Sequence, residues 1–338
     1  MIIDVHAHAT APDEVYAFNY RLMGSQSRFR RGGAGPEISD ERILAVMQDH
    51  IRQVRAVGTD LQLISPRPWA FSTSHRDESA VRIMAQVAND VIARTVKLFP
   101  DMFRGVAALP QCAGISPKNC VEELERSVNE LGFVGCKINP DAGEGDGQTP
   151  PMGEEWWYPL YGKMVELDVP GLLHTGGQRF AREPEAGYFL TEETIAAHAI
   201  LNSRVFKDFP SLKLIVAHGG AYLPYQVGRQ RAPRFNAIRR DSELESFDQS
   251  LRRLHYDTVL YNQESLEMLF KLAGPEQCLF GSDRPATGSA VDPETGKSLD
   301  DIKPIIESIA WLSDVERRSI FEGNALRLHP RLTVSAAG

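Results

Sequence analysis

The sequence predicts an α/β fold in which eight parallel strands, most of them followed by a helix, close into a (β/α)8 TIM barrel. Short apolar runs of strand length alternate with longer segments whose apolar residues recur at helical spacing. Such alternation is typical of right-handed βαβ units around a parallel sheet, and eight units in one chain fit a TIM barrel. Because no internal repeat, low-complexity block or linker divides the 338 residues, we expect a single domain over 1–338.

The eight predicted strands are short runs of apolar residues, several of them β-branched, bounded by polar, Gly or Pro positions. The first lies within the opening eight residues, where Ile2, Ile3 and Val5 form a β-branched run. The other seven are 61–65, 105–110, 133–138, 170–173, 212–217, 255–259 and 277–282.

The helices between these strands are predicted from apolar residues at helical spacing. Ser39 begins the pattern of a helix N-terminus and starts a helix that runs to about Val57. Thr191 is the expected N-cap of another, to about Phe206. Further helices are predicted near 77–98, 119–131, 156–167, 263–272, 299–311 and 313–321.

Two segments are predicted to lie outside this alternation. The polar stretch 11–36, with Gly and Arg clustered at 28–33, predicts a loop or lid with about one helical turn. Loops of this length in a compact domain are uncommon and tend to be functional. At the other end of the chain, 325–338 is expected to be a C-terminal tail.

Composition restricts the class of partner. The net charge of −8 makes a nucleic-acid or anionic-membrane surface a poor match, and no run is apolar for long enough to cross a bilayer. The cysteines are far apart, without a C-x-x-C pair, and are expected to be reduced core thiols: Cys112, Cys120, Cys136 and Cys278. We therefore expect a cytoplasmic protein with a small-molecule substrate, and a dimer as the commonest homo-oligomer.

Polar residues follow several predicted strands at their carboxyl ends, which share one mouth in a barrel. Residues i and i+2 of a strand point to the same side, so His6 and His8 can present two imidazoles to one ion. Neutral imidazole is the commonest side-chain ligand of zinc-type metals. The other residues at strand ends are Lys137, His174, His218 and Asp283. One such histidine is as often a packed core residue, but four with an aspartate indicate a metal-dependent active site.

The remaining histidines carry less information. His50, His198 and His329 lie inside or near helical patterns and are expected to be structural, whereas His75 and His255 are left open.

The pattern Asp4-x-His6-x-His8, then His174, then His218-Gly219-Gly220 and Gly281-Ser282-Asp283-x-Pro285, resembles the amidohydrolase superfamily, and within it the amidohydrolase-2 branch. Segments 129–139, 157–170 and 321–324 are similar to the 4-oxalomesaconate hydratases and to C–C hydrolases of meta-cleavage products. The resemblance implies a distorted TIM barrel with one divalent metal, usually zinc, with manganese as an alternative. It also implies His6, His8, His174 and Asp283 as the ligands.

The resemblance implies a metal-dependent lyase that uses metal-activated water on a small carboxylate or oxo-acid from aromatic ring cleavage. It leaves a hydratase and a decarboxylase open, with a C–C hydrolase as the alternative. Where the hydratases tend to carry Gly-Ser-Glu, this chain has Asp283, the usual choice of the decarboxylases. Asp283 is the expected general base, and His218 is the expected second acid–base. A barrel that keeps a structural metal for a binding role is the third alternative, which the intact residue set disfavours.

The residues expected to bind the substrate are mainly basic, because several cations at one mouth of an acidic protein suit a di- or tricarboxylate. Arg67 lies between two prolines and suits bidentate recognition of a carboxylate. The full set of candidates is Arg67, Arg284, Arg229, Lys137, Tyr188 and His75. Lys137 has two further interpretations, a structural lysine or a carboxylated lysine bridging two metals.

Overall fold

Eight parallel strands, each paired with the next in chain order, form the centre of the protein. The computed structural model describes residues 1–25, 35–67, 73–177, 185–240 and 242–334. The strands are β1 Ile3–His8, β2 Leu61–Ser65, β3 Phe103–Ala108, β4 Gly135–Ile138, β5 Gly171–Leu173, β6 Leu214–Val216, β7 His255–Asp257 and β8 Cys278–Leu279. The Val5 N–H donates to Phe280 O (2.9 Å) and the Asp283 N–H to His6 O (2.7 Å), which brings the last strand back to the first. The predicted barrel is confirmed.

Helices alternate with these strands and pack on the outside of the barrel. Their bounds are α1 Asp13–Gly24, α2 Asp40–Ala56, α3 Glu78–Leu98, α4 Val121–Asn129, α5 Tyr158–Leu167, α6 Glu185–Leu201, α7 Val205–Asp208, α8 Val227–Ile238, α9 Phe247–Leu251, α10 Gln263–Ala273, α11 Lys303–Ser308, α12 Asp314–Arg318 and α13 Asn324–Leu328. In α2 the Ser39 hydroxyl caps the first turn by accepting from the Arg42 N–H (3.2 Å). Its buried stripe includes Ile43, Met47 and Val54, as the periodicity predicts.

The amino end of the chain is more helical than its composition suggests. The prediction of a loop over 11–36 is wrong for α1, which makes three turns because Val15, Phe18 and Leu22 face the neighbouring core at helical spacing. The rest of the Gly/Arg cluster, 26–34, lies outside the described residues. The predicted N-cap Thr191 is also wrong, since α6 begins at Glu185 and includes Thr191 in its interior.

The described residues of the carboxyl end, 325–334, pack against the barrel and do not form a free tail. Ala325, Leu328 and Leu332 are buried in one cluster with inward-facing strand residues such as Val5, Leu63 and others from β3 to β8. Because this cluster fills the barrel interior, 325–334 covers its base. The prediction of a tail over 325–338 is therefore wrong for these residues, and the last four lie outside the described part of the chain.

A buried polar network ties β1 to β2 and to the segment after β8. Asp4 accepts from the Ser282 hydroxyl (2.6 Å) and from the Gln62 amide (2.9 Å), and Gln62 Oε1 lies 2.8 Å from His50 Nε2. Burial raises the pKa of Asp4 to about 6, against these hydrogen bonds. His50 is thus a structural histidine, as is the buried His329, whose Nδ1 lies 3.0 Å from Ala325 O.

Two expectations from composition concern the whole chain. The four cysteines are free and buried, as core thiols should be. Within the ranges that the structure describes, no helix is both long and apolar enough to cross a membrane.

Replacing Leu328 by Ala should lower the free energy of unfolding by roughly 2–5 kcal/mol, since it opens a cavity at the base of the barrel. Val315→Ala is the matched control, because that side chain is 63% exposed and its loss should change stability by less than about 0.5 kcal/mol. Urea denaturation followed by circular dichroism measures both. Equal midpoints for the two variants would show that residues 325–334 do not stabilise the barrel.

Candidate active site

Four side chains from three strand ends converge at the carboxyl mouth of the barrel. They are His6 and His8 of β1, His174 after β5 and Asp283 after β8, and one ligand atom of each lies within 4.8 Å of the others. All four are buried. The imidazole rings lie edge to face, with centroids 4.9 to 5.4 Å apart. The strand-end residues predicted to share one site are therefore neighbours in space.

Each imidazole donates a hydrogen bond from Nδ1, and this contact orients the ring so that Nε2 faces the centre of the cluster. The contacts are His6 Nδ1 to Asp257 Oδ2 (2.6 Å), His8 Nδ1 to Ser65 Oγ (3.1 Å) and His174 Nδ1 to Thr175 O (2.8 Å). Nδ1 is the donor in each pair, because the carboxylate and the carbonyl only accept and the Ser65 hydroxyl already donates to Ala7 O (3.3 Å). Such contacts fix the tautomer of metal-binding histidines.

The centre of the cluster contains polar atoms without partners. His6 Nε2, His174 Nε2 and Asp283 Oδ1 are buried and have no hydrogen bond within the described residues. His8 Nε2 lies 3.0 Å from the same Asp283 oxygen. Unpartnered buried polar atoms are costly, and a cation would satisfy all of them at once. Three imidazoles and one carboxylate fit a divalent metal ion.

The protonation of the cluster is consistent with such a site. Burial opposes protonation of His6, but the charges of Asp283 and Asp257 outweigh it and raise its pKa to about 9. Burial lowers the pKa of His8 to about 4 and takes that of His174 well below its usual range. Burial would raise the pKa of Asp283, but the His6 charge and three imidazole contacts hold it well below its usual range. A bound cation would take the place of the proton on His6.

His218 faces the cluster from the end of β6. Its Nε2 lies 3.9 Å from Asp283 Oδ2, and its ring centroid lies 5.1 Å from that of His174. Its Nδ1 donates to Glu193 Oε2 of α6 (2.7 Å). Burial opposes protonation, but the Glu193 charge, with Asp283, raises the pKa of His218 well above its usual value. His218 Nε2 thus faces the free side of Asp283, and the surrounding carboxylates favour the protonated ring.

Two buried carboxylates behind the site were not singled out in the sequence. Asp257 accepts from His6 Nδ1 and also from the backbone N–H groups of His218 (3.1 Å) and Gly219 (2.8 Å). Asp257 ends β7, but the predicted strand continues to residue 259 and so places Asp257 in its interior, which is why the strand-end rule did not select it. Glu193, which also accepts from the Thr175 N–H (3.2 Å), lies inside a helical pattern that carries no such signal.

A cavity of about 660 Å³ opens above the cluster. Its floor contains His8, His174, His218 and Asp283. Its apolar walls come from α6 and from the segments after β7 and β8, and include Phe189, Leu190, Val259, Leu260, Pro285 and Ala286. Arg67 and Tyr261 add polar groups.

The predicted substrate-binding arginines have three different positions. Arg67 lines the cavity, and no carboxylate of the described residues forms an ion pair with it. The prediction for Arg284 is wrong, because its guanidinium is buried against Asp300, Ser298 Oγ (2.6 Å) and the Gln53 carbonyl (3.1 Å). The prediction for Arg229 has no support from the geometry, since this residue is exposed on α8 and is not part of the cavity wall.

The three other predicted contacts do not line the cavity. Lys137 is buried and donates to Pro66 O (2.6 Å), and burial lowers its pKa to about 7 although Asp283 opposes this. The Tyr188 ring packs on Phe189, with centroids 4.4 Å apart, and it is Phe189 that faces the cavity. His75 Nδ1 accepts from the Asp77 N–H (3.3 Å) in the turn before α3. As substrate contacts, these three predictions are not supported by the geometry.

The fold agrees with the comparisons to known proteins. The chain is 38% identical to 2-keto-4-carboxy-3-hexenedioate hydratase of a Sphingobium species, covering 98% of this chain and 97% of that protein. It is 30% identical to gamma-resorcylate decarboxylase of a Rhizobium species, over 72% of this chain and 78% of that protein. The crystal structure of 4-oxalomesaconate hydratase from Rhodopseudomonas palustris superimposes with a TM-score of 0.85 at 32% identity, covering 98% and 96% of the two chains.

The family resemblance predicted from the strand-end motifs is confirmed by a family model. The sequence model of the amidohydrolase family matches residues 3–331, which include every strand of the barrel and all four members of the cluster. The chain belongs to the amidohydrolase family.

Proposed function

We propose that the protein is a metal-dependent hydratase that adds water to the conjugated double bond of a small oxo-tricarboxylate such as 2-keto-4-carboxy-3-hexenedioate. The observation that carries this proposal is the 38% identity, over nearly the full length of both chains, to a hydratase of that compound. The site has the groups that the reaction needs, which are a cluster suited to a divalent cation, a carboxylate and an imidazole.

The proposed cation is zinc, held by His6, His8, His174 and Asp283, with manganese as the alternative. Three neutral imidazoles and one carboxylate are a common ligand set for zinc, and the orphaned Nε2 atoms support this assignment. Such an ion supplies Lewis acidity and lowers the pKa of water toward about 7, which provides hydroxide at neutral pH.

The proposed reaction is a conjugate addition. The C3=C4 bond of the substrate is conjugated with the C2 oxo group, which makes C4 electrophilic. Asp283 accepts a proton from water while the water oxygen bonds to C4, and the π electrons move toward the oxo oxygen. His218 Nε2 donates its proton to C3, and the C2 carbonyl forms again. The sum is one hydroxyl on C4 and one hydrogen on C3.

Both groups can return to their starting state without leaving the site. Asp283 Oδ2 and His218 Nε2 are 3.9 Å apart, so a small shift brings them within hydrogen-bond distance and passes the proton back. Glu193 positions His218 for this transfer because its Oε2 holds Nδ1 at 2.7 Å and leaves Nε2 facing the cavity.

Arg67 is the proposed carboxylate-binding group. It lines the cavity and is not neutralised by a carboxylate of the described residues. A guanidinium binds a carboxylate with two parallel hydrogen bonds.

Decarboxylation of an aromatic acid is the second candidate. The 30% identity to gamma-resorcylate decarboxylase favours it, as does Asp283, which is aspartate where the hydratases tend to carry glutamate. The same His218–Asp283 pair would protonate the ring carbon that loses its carboxylate.

The two proposals are separated by the products. The purified protein should convert 2-keto-4-carboxy-3-hexenedioate to a compound heavier by one water, with loss of the absorbance of the conjugated system. Carbon dioxide released from gamma-resorcylate, with no hydration, would replace the first proposal with the second. Two carbon fragments from a meta-cleavage product would identify a C–C hydrolase.

Metal binding is tested by removing a ligand and by removing a hydrogen bond behind one. His174→Ala should abolish stoichiometric metal, and Asp257→Asn should weaken metal binding roughly 10- to 100-fold, because Asp257 orients His6. His198→Ala is the control, since that histidine lies on α6 outside the cluster. Metal content is measured by elemental analysis, and metal affinity by competition with a chelator. Equal metal content in all three variants would rule out the proposed metal site.

Arg67→Met should raise the KM for the tricarboxylate by about 10-fold or more, since a charged hydrogen bond contributes about 1.5–3 kcal/mol. Arg229→Met removes an equal charge from the exposed face of α8 and should leave the KM unchanged. Steady-state kinetics at fixed ionic strength separates the two. An equal effect of both variants would mean that Arg67 acts only through the overall charge.

Glu193→Gln should lower kcat roughly 10- to 100-fold with little change in KM or metal content, because His218 loses its fixed orientation and its counter-charge. Glu192→Gln is the matched control, since its carboxyl is a neighbour on α6 with no contact to His218. Unchanged kcat in Glu193→Gln, measured at saturating substrate, would remove His218 from the proposed mechanism.

A further inference from the structure

Left-handed backbone conformations are concentrated around the cavity. The non-glycine residues with positive φ include four that line it: His218 (φ 52°), Ala221 (φ 56°), Tyr261 (φ 57°) and Asp283 (φ 59°). Non-glycine residues are uncommon in this region, and when they occur there they are often found at functional sites. His218 and Asp283 have roles in the proposed reaction, and Ala221 carries no polar group. Among these four residues, Tyr261 is therefore the one with a polar side chain and a left-handed backbone to which the proposed reaction gives no role.

The Tyr261 ring is held tightly in the turn between β7 and α10. Tyr261 is followed by Asn262, and the Asn262 side chain caps α10 by accepting a hydrogen bond from the Ser265 N–H. On one side the ring lies directly against Gly288, where the Cβ of any other residue would overlap the phenol carbons and oxygen. Gly288 does not have a positive φ, so its backbone conformation does not require glycine. A larger residue is excluded at this position because its side chain would overlap the Tyr261 ring.

The phenol oxygen has only a weak partner. Its one hydrogen bond within the described residues is to Ser282 O, at 3.4 Å, which is near the limit for an O–H donor. The hydroxyl thus lies beside the residue that precedes Asp283, with its donor capacity largely unused, and the residue that carries it is part of the cavity lining. A phenol is protonated at neutral pH and can donate without carrying a charge.

We propose that the Tyr261 hydroxyl donates a hydrogen bond to the 2-oxo oxygen of the substrate and so is a further catalytic residue of this site. The inference rests on the proposed hydration, in which that oxygen gains negative charge as water adds to C4. A neutral donor suits an oxygen that is uncharged in the substrate and charged in the transition state. Arg67, with its permanent charge, suits a carboxylate instead.

The experiment combines turnover with a binding measurement that needs no turnover. Tyr261→Phe removes only the hydroxyl, so the packing against Gly288 is preserved. Its kcat on 2-keto-4-carboxy-3-hexenedioate should fall about 100-fold. Calorimetric binding of 2-oxoadipate and of adipate, which differ by the oxo group, should show that the preference for the oxo-acid falls roughly three- to tenfold.

Two further variants make the test specific. Tyr225→Phe is the matched control, because that phenol is 75% exposed and does not line the cavity; both readouts should stay within about twofold of the native protein. Gly288→Ala should reduce the preference for the oxo-acid as Tyr261→Phe does, since the new methyl group displaces the ring. Combining the two substitutions should add nothing further to that loss.

The outcomes are distinguishable. A Tyr261→Phe protein with native kcat and native preference for 2-oxoadipate would overturn the inference. If the native protein hydrates no substrate but Tyr261→Phe still loses the preference, the proposed function fails and Tyr261 remains a binding residue for oxo-acids.

Discussion

The Asp257 carboxylate joins the two halves of the site. One oxygen accepts from the His6 ring and from the His218 backbone, and the other accepts from the Gly219 and Val259 backbone. A single buried carboxylate therefore fixes the orientation of the His6 ring and the backbone of the loop that carries His218, the proposed proton donor. Removing it would leave several buried donors without acceptors, each at a cost of about 1–3 kcal/mol.

The barrel provides the rigidity that such an arrangement needs. His218 and Asp283 both have left-handed backbone conformations, which are maintained only when the surrounding structure determines them. For Asp283 the determinants are the Asp283 N–H bond to His6 O and the Asp4 carboxylate that anchors Ser282. The apolar interior, closed at its base by residues of the carboxyl end, keeps β1 and β8 at a fixed separation. Packing at one end of the barrel thus supports polar geometry at the other.

The barrel and the cluster of candidate metal ligands could be predicted because each depends on a pattern of residues that are close together in the sequence. Strand-length apolar runs are visible in the sequence, and parallel topology brings their carboxyl ends together without any knowledge of contacts. Arg284 was misassigned because its partner Asp300 comes from a later segment that no pattern links to it. Glu193 was not found because its role depends on how α6 packs over His218, and helical spacing does not encode that. The base of the barrel was misjudged for the same reason, since a short helix looks like a tail until its contacts are known.

The choice between hydration and decarboxylation depends on the substrate more than on the catalytic groups. Both reactions place a proton on a carbon that is conjugated with an electron-withdrawing group, and in both proposals the proton comes from the His218–Asp283 pair. They differ in the second bond that changes. In hydration, water adds to the neighbouring carbon, whereas in decarboxylation the carboxylate leaves the same carbon that is protonated. A site that binds a carboxylate firmly at Arg67, away from the reacting carbons, would retain that group and favour addition of water. A site that turns a carboxylate out of the plane of an aromatic ring would favour its loss. The two oxygens of Asp283 face the cluster and His218 separately, an arrangement that either reaction could use.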